Sequence, residues 1–304
     1  MYPWRGDPIT TEKLRVPFLP STTSNKKLRV LLIPFFASSH IGPFTDLAIS
    51  LAAQAVEATV AVMLANVSII ESVVQGQGRC EDEVKVVTYP FPAVEGLPIG
   101  VENLGKAAQG DAWRIDTATV SEDLMRPAQE ALVRAESPNA IITDVHFMWS
   151  AGIADELGVP YVTFNVIGAF SMLAMHHLAD GDSEEAVTIV PRFPAPEIQI
   201  PRAELPEYLR SQDKVAHAAI SRLYAAQAEC FGRAINTSLD PEEHYYGMYV
   251  GKGYAKRAYM LGPLSLRSSP KANPGDSRYM DWLDSKPNRS VAIEFTLLSR
   301  CEKK

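Results

Sequence analysis

The chain has 304 residues and a net charge of −7, with 36 acidic and 29 basic side chains dispersed along it. Apolar residues make up 46% and charged residues 21%, the proportions of a globular protein with a sizeable core. Dispersed negative charge argues against a nucleic-acid surface, and no run approaches the roughly 18 apolar residues of a membrane span.

Residues 1–26 hold no apolar stretch long enough for a signal peptide and carry prolines at 17 and 20. They are expected to form a disordered extension of a cytoplasmic protein. Leu28 to Phe36 is a nearly continuous apolar run, as in a strand buried on both faces of a parallel sheet. Phe44, Leu47, Ala48, Leu51 and Ala52 then recur at helical spacing, with Pro43 suited to the first helical position and Asp46 to the first turn. His40 is thereby expected in the loop 37–42, outside the carboxyl end of a strand, where open α/β sheets bind their ligands.

Strand and helix continue to alternate. Residues 57–64 read as a strand and 67–74 as a helix, 83–89 as a third strand, and the Pro- and Gly-rich segment 90–110 as a binding loop or lid. Ser121 is expected to cap a helix over 122–135. Residues 138–144 form a short apolar strand ending in Asp144, followed by Phe147, Ala151, Ile153, Ala154 and Leu157 at helical spacing and a stop at Gly158. A strand over 161–165 and a helix over 170–178 come next, then a proline-rich excursion over 179–206. A helix over 214–231, a strand over 234–238 and a helix over 241–250 complete the pattern, and 264–288 reads as a linker. The alternation predicts an α/β fold, a Rossmann-like parallel sheet with helices on both faces.

Asp144 closes a strand on the same sheet edge as His40. A carboxylate there can accept the Nδ1–H of an imidazole and fix its tautomer, leaving Nε2 to take a proton from a hydroxyl. The alternative is that Asp144 caps the helix that follows. Met148, Trp149, Phe170 and Met172 are candidates for an apolar pocket wall or for ordinary core. Adjacent His176 and His177 point about 100° apart and cannot chelate one metal. Cys80, Cys230 and Cys301 show no metal spacing, and the pairs Gly76-x-Gly78 and Gly251-x-Gly253 lack the third glycine of a dinucleotide loop. No cofactor and no metal are expected.

The segments PFFASSHIGPFTDLA, PNAIITDVHFMWSAGIADELGVPYVTF, RAINTSLDPEEHYYGMYV, AYMLGPLS and YMDWLDSKPNRSV, in this order over about residues 27–291, resemble the plant UDP-dependent glycosyltransferases, glycosyltransferase family 1 with the GT-B fold. The resemblance implies an acceptor-binding N-terminal half over 27–263, followed by an interdomain linker and an aberrant tail over 264–304. It makes His40 the base that deprotonates an acceptor hydroxyl, on a flavonoid or other small secondary metabolite, and Asp144 its partner. Phe147, Met148, Trp149 and Phe170 are assigned to the acceptor and Ser39 to the donor. The acceptor oxygen then displaces UDP with inversion, with a UDP-sugar, glucose foremost, as co-substrate and no metal. The family's donor domain carries a box of Trp, His and Gln, and none of Trp4, Trp113, Trp149 and Trp282 lies in such a context. The expectation is therefore a chain without its donor domain, inactive alone and binding UDP-sugar only when that domain is supplied. The alternative is a non-catalytic small-molecule binding or interaction module derived from such an enzyme. The segment 293–298 has high β-propensity and one charge, which predicts self-association.

Overall fold

The computed structural model describes residues 27–77, 84–108, 110–179, 187–190, 192–193, 197–205, 207–210, 214–266 and 285–286. The chain divides into two compact units, Met1–Arg267 and Ser268–Lys304, and in the second only the turn at Ser285 and Lys286 is described. The expectations for residues 1–26 and for the tail lie outside the described residues.

Strand β1 (Arg29–Ile33) leads into α1 (Ser38–Ala52), then β2 (Glu57–Val62), α2 (Val67–Gly76) and β3 (Lys85–Thr88). Helices α3 (Ala112–Val120) and α4 (Glu122–Glu136) precede β4 (Ala140–Asp144), α5 (Ser150–Leu157), β5 (Tyr161–Asn165) and α6 (Ala169–Ala179). A small antiparallel pair, β6 (Val187–Ile189) and β7 (Gln199–Pro201), is followed by α7 (Glu207–Arg210), α8 (Lys214–Glu229), β8 (Gly232–Ile235), α9 (Leu239–Gly251) and β9 (Ala258–Met260).

Seven strands form one parallel sheet in the order β3-β2-β1-β4-β5-β8-β9. The chain starts in the middle, runs outward through β2 and β3, then returns to the other side of β1 to lay down β4. The reversal puts a topological switch point between β1 and β4, where the helices that follow the two strands diverge and leave a crevice.

Both sheet faces are covered, so most strand positions carry apolar side chains, which alternate between two cores. Val30, Leu32, Val60, Ile142 and Phe164 pack under Phe44, Leu47 and Leu51 of α1 and Ile70 of α2. Leu31, Ile33, Ile141 and Tyr161 pack on the other face with Met125 and Val133 of α4 and Ile153 of α5. Gly158, at φ +64°, ends α5 in the left-handed region and turns the chain into β5. The α6 N-terminus is held by Glu242 of α9, whose carboxylate accepts the Ala169 N–H at 2.6 Å.

Several local expectations are corrected. α1 starts at Ser38, before the expected loop has ended: Ala37, extended at φ −130° and ψ 145°, is its N-cap, and the N–H groups of His40 and Ile41 both donate to the Ala37 carbonyl. His40 therefore sits in the first turn of a helix. Pro43 lies inside that helix, where it gives up one intrahelical hydrogen bond, and Asp46 lies beyond the first turn. Helix α3 and strand β9 arise where none was expected, and β8 begins two residues before the expected start. Ser121 stands at the N-cap of α4 with extended backbone but makes no side-chain capping bond. Within the segment expected as a binding loop or lid, the end nearest α3 is anchored to the domain. Leu104 donates its N–H to the Phe36 carbonyl at 2.9 Å, and Asn103, buried, donates to Asn66 at 2.7 Å.

Candidate active site

The switch point brings together residues separated by about a hundred positions in the chain. His40, in the first turn after β1, and Asp144, the last residue of β4, meet with Nδ1 to Oδ2 at 2.7 Å. Asp144 is fully buried, whereas the His40 ring keeps 19% of its side-chain surface exposed. With the Nδ1–H directed at the carboxylate, Nε2 is left as a proton acceptor. The Phe35 ring meets the His40 ring edge-on at 5.0 Å between centroids and fixes its plane from a second side.

His146 is the residue that sequence reasoning missed. Its Nδ1 lies 2.5 Å from Oδ1 of the same aspartate, so each carboxylate oxygen carries one imidazole. Its ring stacks on Phe35 at 4.7 Å and lies 5.6 Å from the ring of His40. The signal was the Asp-x-His spacing at a strand end, since a turn of two residues after an aspartate folds back onto its carboxylate. Burial alone would raise the Asp144 pKa. The facing charges of His146 and His40 and their hydrogen bonds outweigh it and hold the carboxyl well below the usual carboxylate range.

His40, Asp144 and His146 are also the described residues whose donor atoms could gather around one ion, all within 4.8 Å of one another. The short contacts favour hydrogen bonds over a ligand set. Two ligands of a tetrahedral ion held at about 2.0–2.1 Å stand roughly 3.3 Å apart, well beyond 2.5–2.7 Å.

The triad opens into a cavity of about 310 Å³. Its far side is built by Phe164, Asn165 and Ile167 after β5, Met172 and His176 of α6, Tyr224 and Gln227 of α8, and Arg233 of β8. Of the residues expected at the acceptor, Met148 lines this cavity. Phe147 and Trp149 point into the core instead: Phe147 is fully buried against Phe36, and the Trp149 indole donates to Gln129 at 2.7 Å. They turn inward because Phe147 to Ser150 form the tight entry to α5 over the second core. Phe170 packs on Phe193 and Tyr245, away from the cavity. Ser39 is exposed, one residue before His40 in the same turn. Met172, expected at the wall or in the core, is in both. His176 and His177 are both buried, and His176 is sandwiched between the rings of Tyr224 at 3.9 Å and Tyr254 at 4.1 Å.

No protein-family model matches the chain. Among curated proteins it is 29% identical to UDP-glycosyltransferase 73D1 of Arabidopsis thaliana over 284 residues, covering 89% of this chain and 53% of that one. It is 25% identical to UDP-glucosyl transferase 73DL1 of Saponaria officinalis, covering 92% of this chain and 56% of the relative. The chain is similar to the N-terminal part of the plant UDP-glycosyltransferases. It spans a little over half the length of the curated relatives it matches. Among solved structures it superposes on UGT73P12 of Glycyrrhiza uralensis, complexed with glycyrrhetinic acid 3-O-monoglucuronide, with a TM-score of 0.65 and 25% identity over 86% of this chain and 55% of that one. Arabidopsis UGT89C1 complexed with quercetin shares the fold, at a TM-score of 0.56 and 24% identity over 86% of this chain and 56% of that one. The seven-stranded parallel sheet is accordingly the N-terminal Rossmann-like half of a GT-B architecture.

Proposed function

We propose that this chain is the acceptor-binding half of a glycosyltransferase that moves a sugar, glucose foremost, from a UDP-sugar to a hydroxyl of a small plant secondary metabolite such as a flavonoid. The observation that carries the reading is the 2.7 Å contact from His40 Nδ1 to a fully buried carboxylate, at the mouth of a largely apolar cavity on the switch-point edge of the sheet. Asp144 orients the ring and stabilises the imidazolium that forms. His40 Nε2 removes the acceptor proton as the oxygen attacks the anomeric carbon from the face opposite UDP, which inverts that centre. Ser39, exposed beside the base, faces the donor in this scheme, and the donor contacts themselves come from a second domain. Neither a metal nor a cofactor takes part.

The reading is tested in a chimera in which the donor domain of one of the relatives follows Val291. His40→Ala is expected to lower turnover by about 10²–10⁴-fold, the usual scale of general-base catalysis, with acceptor binding little changed. Unchanged turnover in that variant would remove the base from the scheme.

A further inference from the structure

Arg233 is out of place in a core strand. It sits in β8 between two parallel partners, with Thr163 of β5 on one side and Ala258 of β9 on the other, and is 1% exposed. A charged side chain so deep is expected to be paired, because an isolated buried ion loses far more hydration than the interior returns. Its Nε and Nη2 atoms have no hydrogen-bond partner, and no carboxylate among the described residues pairs with it. The groups around it do not supply an anion. The Tyr161 phenol is kept neutral by burial, which pushes its pKa up, and the Cys230 thiol, which approaches the guanidinium, donates to the carbonyls of Gln227 at 3.0 Å and Gly232 at 3.2 Å and so offers the arginine only a weak sulfur acceptor. The Tyr249 ring centroid lies 5.4 Å from the guanidinium carbon, and burial pushes the Arg233 pKa down.

The guanidinium is nonetheless in the wall of the cavity that holds His40. Asn165, 6% exposed and in the same wall, has an Nδ2 without a partner. Two unsatisfied donors, one cationic, thus face one cavity whose remaining wall is mostly apolar. β8 is two strands from β4, or roughly 10 Å at the usual strand spacing, so a ligand that touches both ends is about one aromatic ring and a short side chain long.

We propose that Arg233, assisted by the Asn165 amide, is the subsite for a carboxylate on the acceptor, so that the molecule placed with its hydroxyl at His40 is a small aromatic hydroxy acid. The inference rests on the acceptor-site reading above. A carboxylate satisfies the planar guanidinium fork in a bidentate manner and removes the uncompensated charge, so ligand binding and the relief of a buried ion are one event. A cavity of about 310 Å³ lies at the small end of the usual range of about 300–1,000 Å³, which suits a single-ring acid.

The experiment is a calorimetric titration of the 304-residue chain with 4-hydroxycinnamate and with its methyl ester, which differ by the carboxylate charge, for the native sequence, Arg233→Met and Arg233→Lys. The native chain is expected to bind the acid more tightly than the ester by at least about tenfold. Arg233→Met is expected to weaken the acid by about 10–100-fold and leave the ester unchanged, as loss of a charge-assisted hydrogen bond predicts, with Lys intermediate. A higher melting temperature for Arg233→Met shows that this variant folds and that the native cation is uncompensated without ligand. Equal binding of acid and ester, no saturable binding of the acid, or equal weakening of both by Arg233→Met overturns the proposal. So does a loss confined to UDP binding, which would assign Arg233 to a phosphate. Failure of the base reading is seen separately: His40→Ala leaves the preference for acid over ester intact whether or not it abolishes turnover in the chimera.

Discussion

Asp144 carries an imidazole on each oxygen, and that double use sets what its replacement does. An Asn side chain can offer one oxygen to His40, yet it presents an amide nitrogen to the other imidazole and carries no charge to stabilise an imidazolium. Asp144→Asn is therefore expected to lower chimera turnover by on the order of 10²–10⁴-fold. If Asp144 served as a helix cap, Asn would replace it at almost no cost, but α5 starts at Ser150 with Trp149 as its N-cap, so the aspartate caps nothing there. Turnover and melting temperature measured on the same variant separate the two roles. His146→Ala keeps both the base and its partner, and its effect on turnover should fall below the general-base range. A loss as large as that of His40→Ala would make His146 the base instead. The pair His40 and Asp144 was legible because strand-end chemistry has a fixed address in parallel sheets. Arg233 was not: between Gly232 and Ala234 a lone arginine reads as the residue outside a strand, and the strand was expected to begin only at 234.

Elements with strong patterns were placed with their ends off by a few residues, β5 alone to the residue, and those built by tertiary contacts were missed. β5 matches its expected span because Tyr161–Asn165 is bounded by a left-handed glycine before it and a turn after it. β9 has three half-buried residues and exists through its pairing with β8, which no local pattern announces. α6 shows what such packing does to a titratable group. His176 is stacked between Tyr224 and Tyr254 with Arg233 and His177 nearby, and burial first, then electrostatic repulsion from those two neighbours, push its pKa down to about 3. An unfolded chain takes up this proton near pH 6.5 and the folded chain only near 3, so the unfolded state holds more protons between those values. Stability is therefore full above pH 6.5 and falls as pH drops toward 3, on the order of a few kcal/mol at the limit. His176→Gln removes that slope. Urea unfolding of the native and Gln chains at pH 7.5 and pH 4.5 should show a native loss that the variant lacks, and parallel losses in both would assign the acid sensitivity elsewhere.

Across the whole first unit, the cavity and the cores share side chains. Phe164 is fully buried in the core against Phe44, 4.9 Å between ring centroids, and also forms the cavity floor, while Met172 belongs to the cluster around Tyr249 and to the wall. This follows from topology: the sheet's carboxyl edge is where both face clusters run out, and the side chains that end them are the ones a ligand meets. It also explains why the cavity wall was hard to read in sequence. Its members come from β5, α6, α8 and β8, and a Phe or Met at helical or strand spacing looks the same whether it ends a core or lines a pocket. The two kinds of wall residue predict different outcomes. Phe164→Ala opens a void inside a close-packed layer and should cost about 3–5 kcal/mol, lowering the melting temperature by on the order of 10 °C. Met148→Ala trims a half-buried side chain that touches the cavity without closing a core, so the melting temperature should hardly move while the range of bound phenols widens. Calorimetric melting combined with titration of ligands of increasing width measures both. Destabilisation of Met148→Ala to the level of Phe164→Ala would show that Met148 belongs to the core and that the cavity wall is built from other residues.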